Sequence, residues 1–157
     1  MSLSQWADVA SILGGLAIIG GIISATVQLQ QFRLQRRELA AIEAARSFQN
    51  PEFAKALRVV LSLPVGLSAE ELRARGPATE DAAVFVSLSI ESVAVMCRRG
   101  VVDFDVVWDL MGGVIVTCWV ILKSWAVDVR VEQSNAKFDE WFEWLAAELE
   151  QRTASHN

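Results

Sequence analysis

The sequence predicts an all-α protein: a single N-terminal transmembrane helix continuing into a small helical bundle of about five helices. Three observations predict it. A charge-free apolar run lies near the N-terminus. Later apolar residues recur at steps of three and four, the helical period, rather than at steps of two. Capping residues and Gly or Pro stops separate those segments, and neither strand-like alternation nor an internal repeat stands out.

The first element is the run from Val9 to Val27, which contains no charged side chain. At 1.5 Å per residue it covers about 28 Å, close to the ~30 Å hydrocarbon core of a bilayer. Its polar residues are Ser11, Ser24 and Thr26, whose hydroxyls can bond to backbone carbonyls. A cleaved signal peptide would have a basic leader and a shorter apolar core, whereas this leader carries only Asp8. Residues 1–28 are therefore expected to form the membrane anchor, 29–152 a cytoplasmic helical domain, and 153–157 a disordered tail. Arg33, Arg36 and Arg37 follow the run and no Lys or Arg precedes it. Positive charge is retained in the cytoplasm, so the N-terminus is expected outside the cytoplasmic (inner) membrane and the C-terminal domain inside. Those arginines would meet anionic membrane lipid. Within the run, Gly14, Ala17, Gly21 and Ala25 share one helical face, where two copies could approach closely and form a homo-oligomer through the membrane helix.

The remaining elements follow from their boundaries. Residues 28–49 lack Gly and Pro and are rich in helix formers, so the first helix is expected to continue past the membrane. Asn50-Pro51-Glu52 opens the next helix, as N-cap, first helical residue and helix-dipole partner. Phe53, Leu57, Val60 and Leu61 form its expected buried side, and Pro64 and Gly66 end it. Ser68 with Glu71 is a capping box for a short helix that Gly76-Pro77 stops. Thr79 to Arg99 is the most apolar helix of the soluble region. Asp103 caps the next helix, which runs to about Arg130; its longest uncharged piece, Leu110 to Leu122, is too short to span a bilayer and fits a core helix. Gly112-Gly113 marks either a kink or the close approach of another helix. The last helix places Phe138, Phe142, Leu145 and Leu149 on one side and Asp139, Glu140, Glu143 and Glu150 on the other.

Candidate site residues are few. Glu80, Ser87, Glu91 and Arg98 form a thin stripe on the apolar helix, expected to be its solvent-facing edge. If Glu91 is buried it needs a partner, for which Arg98, Lys123 and Arg130 are the candidates. Asp105 and Asp109 could join Glu91 as a polar or partner site, and Trp141 and Trp144 pack on the core or offer a partner-binding edge. Capping explains Asp103 and Asp105, and no His or Cys joins them, so no metal is expected.

Charge narrows the classes. The chain carries a formal net charge of −5. Its basic residues concentrate between Gln28 and Arg58, and its far end is acidic, which argues against nucleic acid as a partner. Cys97 and Cys118 lack zinc or redox spacing, and His156 is the chain's sole histidine. There is no phosphate-binding glycine loop or nucleophile elbow, so neither cofactor nor catalysis is expected.

Four segments, "GGLAIIGGIISATVQLQQFRLQRR", "SFQNPEFAKAL", "RRGVVDFDVVWDLMGG" and "FDEWFEWLAAEL", resemble a family of small bacterial proteins that is a domain of unknown function. The resemblance implies an N-terminal membrane helix before a cytoplasmic helical domain, and implies no catalytic residue. The sequence thus reads as a single-pass, membrane-anchored, non-catalytic interaction or regulatory module with an unknown protein partner. The alternatives are a soluble helical homo-oligomer whose first helix is buried between subunits, and an enzyme with an unrecognised carboxylate site.

Overall fold

The computed structural model describes residues 50–156, together with Ala25 and Gln28, both helical and exposed. The chain divides into two units, Met1–Glu38 and Leu39–Asn157. The expected membrane anchor, the face bearing Gly14, Ala17 and Gly21, and the cluster Arg33, Arg36 and Arg37 lie outside the described residues. The expected all-α class holds: five helices and no strand occur among the described residues.

Helix α1 spans Pro51–Leu61. The Asn50 carboxamide oxygen accepts the Glu52 amide at 2.9 Å, and proline supplies the preset first residue. Its buried side is Phe53, Ala56 and Val60, with Leu57 half-buried. Leu61 is exposed, against expectation, because the helix stops there and the turn carries Leu63 into the core instead. Helix α2, Ala69–Ala74, has both halves of its capping box, and the Asp128 carboxylate accepts the Ala69 amide at 2.9 Å. Gly76, at φ +110°, turns the chain directly into α3, Pro77–Arg98. Proline again occupies the first turn, which starts α3 two residues before the expected Thr79.

Helix α4 spans Phe104–Glu132, and the Asp103 carboxylate accepts the Asp105 amide at 2.8 Å. It continues unbroken through Gly112-Gly113. Gly112 is buried, and a Cβ there would lie 3.7 Å from the Leu149 side chain of the last helix. The pair therefore does not break the helix, and a Cβ at Gly112 would make only ordinary contacts with Trp108 and Leu149. By length and composition α4 could cross a membrane. In this fold it is the core helix, burying Ile115, Cys118, Trp119, Leu122, Trp125 and Val129 among others. Each fully buried large apolar side chain contributes about 1.5–3 kcal/mol.

Helix α5 spans Glu140–His156 and buries Phe142, Leu145, Ala146 and Leu149. Its helical conformation runs past Arg152, where the sequence reading placed a disordered tail. The Thr153 hydroxyl donates to the Leu149 carbonyl at 3.0 Å and the Ser155 hydroxyl to the Arg152 carbonyl at 2.8 Å, which holds that last turn. Helices α4 and α5 form an antiparallel pair, with the start of α5 also against α3. Two edge-to-face ring pairs knit the junction: Trp119 with Phe142 at 5.0 Å and Trp125 with Phe138 at 5.5 Å between centroids.

Candidate functional site

The polar stripe of α3 is not a solvent edge. Its middle faces the start of α5 and the loop before it. Ser87 is fully buried, and its hydroxyl donates to both carboxylate oxygens of Asp139, at 2.5 and 2.6 Å. Asp139 is only 2 % exposed, although the sequence pattern placed it on the outer acidic face. Its φ of +56° explains the difference. In that left-handed conformation, which Asp tolerates better than most residues, the residue precedes the helix and its carboxylate turns inward.

An acid at this position would ordinarily cap the helix with its side chain. Here Asp139 supplies only its carbonyl, which accepts the Glu143 amide at 3.0 Å. The side-chain cap comes from another helix. Glu91 accepts the Phe142 amide at 2.6 Å and the Trp141 amide at 3.3 Å. These are the third and second residues of α5, whose amides have no partner within the helix. Glu91 is half-buried, and what it partners is the positive end of a helix rather than any of the three candidate cations.

Arg130, near the end of α4, closes the same junction. Its guanidinium donates to the Phe138 carbonyl at 2.7 Å, to the Asp139 carbonyl at 3.2 Å and to the Glu143 carboxylate at 2.8 Å. It also lies 6.0 Å from the Trp119 ring centroid, within cation–π range. Burial pushes the Asp139 carboxyl up to about 6; the Ser87 hydrogen bond opposes the rise, the Glu91 charge adds to it and Arg130 offsets it. Burial also raises Glu91, against the pull of the Phe142 and Trp141 amides.

The other candidate residues fall into three places. Trp141 and Trp144 are half-buried and stand edge to face at 6.2 Å, with the exposed Arg98 guanidinium 6.0 and 5.7 Å from their centroids. Arg98, Trp141 and Trp144 form an edge beside Glu91. Asp105 lies at the opposite end of α5, paired with Arg152. Asp109 is exposed on α4. Arg152 lies eleven positions after Trp141 on α5, roughly 16 Å along the helix, so Glu91 and Asp105 meet opposite ends of α5. Among the described residues, no three His, Cys, Asp or Glu side chains converge as metal ligands. Lys123 is exposed, and burial pushes the half-buried Cys97 thiol up to about 11.

A family model described as a domain of unknown function (DUF4760) matches residues 15–149. The chain belongs to the DUF4760 family. No curated protein and no solved structure matches it significantly. The match agrees with the family type that the four sequence segments resemble. It spans the whole junction of Ser87, Glu91, Arg130 and Asp139, and ends within α5. Sequence reasoning named Glu91 and weighed Arg130, but missed the buried pair of Ser87 and Asp139. The available signal was the position of Ser87, four residues before Glu91 and on the same face, whereas Ser89 and Ser92 fall on other faces of α3.

Proposed function

We propose that this DUF4760 chain is a single-pass membrane protein whose helical domain serves as a non-catalytic interaction or regulatory module at the cytoplasmic face. The anchor is the charge-free run Val9 to Val27, with Arg33, Arg36 and Arg37 holding the following domain inside. The observation that carries the non-catalytic reading is the use of Glu91. The carboxylate best suited to chemistry is spent on two helix amides, and Asp105 and Asp109 lie elsewhere. Arg98, Trp141 and Trp144 form the partner-facing edge, since Trp and Arg dominate binding hot spots. Tethering raises the effective concentration of that edge toward other membrane proteins.

Cell fractionation tests the anchor. The chain should stay in the membrane pellet through an alkaline carbonate wash and leave it only with detergent. Release by carbonate alone would favour a soluble oligomer with the first helix buried between subunits. A reporter fused after Asn157 should be active only in a cytoplasmic form. In-cell crosslinking should capture a protein partner that Trp144→Ala loses; unchanged capture would remove the edge from the proposal.

A further inference from the structure

Helix α4 carries an exposed stripe that the described residues leave unused. Leu110, Gly113, Thr117, Val120, Val127 and Val131 are all exposed, and Val106 and Ser124 are half-exposed. Their spacing alternates three and four over the whole helix, the seven-residue pattern of a helix-pairing seam. No charged residue interrupts it. Leu110 is 57 % exposed and Val131 75 %. Gly113 sits in the middle of this helix, where glycine costs about 1 kcal/mol relative to alanine. Nothing lies within 4 Å of the Cβ position there, so packing inside the domain does not account for it. The Thr117 hydroxyl donates to the Gly113 carbonyl at 2.8 Å, which leaves its methyl group on the stripe.

We infer that this stripe is the seat of a second copy of the chain, paired antiparallel about a two-fold axis between Thr117 and Val120. The register is self-complementary. Reversing the helix sets Val106 against Val131, Leu110 against Val127, Gly113 against Ser124 and Thr117 against Val120, so every stripe position meets another. Small residues fall near the centre, where the helices cross closest, and bulky ones toward the ends. Val127 and Val131 line a shallow concavity with Ser134 and Ala136, and the partner copy's Leu110 fills it in this register. The neighbouring Asp109 then faces Arg130 of the other copy. A guanidinium has five N–H donors, and Arg130 directs three bonds within its own chain. Such an isologous contact buries on the order of 1,000 Å² in total, the lower bound for a specific interface. This inference uses a different surface from the membrane helix and does not rest on the anchoring proposal.

Cysteine crosslinking of the full chain in whole cells tests it, with a short bis-maleimide and the unsubstituted chain as control for Cys97 and Cys118. Thr117→Cys should yield a covalent dimer. Val131→Cys alone should not, because its mate lies roughly 37 Å along the helix axis. Co-expressed Leu110→Cys and Val127→Cys chains should crosslink to each other. Adding Val120→Glu to Thr117→Cys should cut the dimer at least tenfold, and Gly113→Gln, whose side chain enters open space in one copy, should do the same. Equal crosslinking at Thr117→Cys and Val131→Cys would overturn the antiparallel pairing. So would a Thr117→Cys dimer indifferent to both disrupting changes, or no dimer at all. If Val120→Glu instead released a chain that never crosslinks from phosphatidylcholine vesicles, the stripe would face lipid and the inference would fall. Crosslinks form before fractionation, so a dimer recovered in the soluble fraction would remove the anchor while leaving this pairing intact.

Discussion

The two ends of α5 are both held by charge, and they are built differently. At its start, Glu91, Asp139, Ser87 and Arg130 meet in a junction where Asp139 is 2 % exposed. At its end, Arg152 reaches Asp105, whose side chain is 67 % exposed. Water screens the second pair and is largely excluded from the first. Removing one partner at the start, which strands buried polar groups, is therefore expected to cost more than removing one at the end. The difference also sets direction: the start of α5 is pinned to both α3 and α4, whereas its end is tied to α4 through Arg152 and Asp105.

Breaking the junction at Arg130 should have the largest effect. Arg130→Ala removes three hydrogen bonds and the cation nearest the buried Asp139, and should cost about 3–4 kcal/mol. Urea denaturation of the full chain in mild detergent reads it as a lower midpoint. A loss below about 1 kcal/mol would mean that the junction is no stronger than a surface pair. Glu91→Ala comes next. It strands the amides of Trp141 and Phe142 at a half-buried helix end and should cost about 2–3 kcal/mol. Glu91→Gln keeps one acceptor and should lose roughly half as much, with early amide exchange confined to the first turn of α5.

Asp139→Asn should sharpen the comparison in the opposite direction. The folded-state carboxyl titrates near 6 against an ordinary 3.8, so the folded protein holds this proton more tightly than the unfolded chain does. The stability this supplies is fully present below about pH 4 and is lost as pH rises through 6. A rise of that size corresponds to about 3 kcal/mol at most. Asparagine carries no charge, still accepts from Ser87 and tolerates the positive φ. The variant should therefore be more stable than the parent by about 2 kcal/mol at pH 8 and equal to it at pH 4. The difference between the two proteins isolates Asp139 from the other carboxylates. A gain independent of pH would place the effect in backbone conformation instead.

Local chemistry made much of this fold legible. Asn50-Pro51, Ser68 with Glu71, Gly76-Pro77 and Asp103 are caps and stops whose partners lie within four residues, and the sequence contains both halves of each. The junction is long-range: Ser87 and Asp139 are 52 positions apart, and Glu91 and Phe142 are 51. Nothing in the local pattern distinguishes a carboxylate that faces water from one that caps another helix. Glu91 was visible as an isolated charge in an apolar helix, but its pattern fitted a solvent-facing edge, and the need for a partner was conditional on burial that local sequence does not reveal. Asp139 was misplaced because helical periodicity was extended back to Phe138, ahead of the true start of α5 at Glu140, across the residue where φ turns positive.

The smallest effect belongs to the C-terminal pair, and it separates charge from packing. Asp105 lies in the first turn of α4, where a carboxylate gains a few tenths of a kcal/mol from the helix dipole whether or not Arg152 is present. Asp105→Asn should therefore cost no more than about 0.5 kcal/mol, and 1 M salt should erase the difference. Arg152 has a second attachment: its guanidinium lies 5.3 Å from the Trp108 centroid and 5.6 Å from that of Phe104. Arginine stems also commonly cover apolar surface beneath such a stacked head. Arg152→Ala should cost about 1 kcal/mol and retain most of that cost in salt, because stacking and packing are screened far less than an exposed ion pair. Equal losses from the two variants at high salt would mean that Arg152 acts through Asp105 alone, and that the end of α5 is held by charge in the same sense as its start.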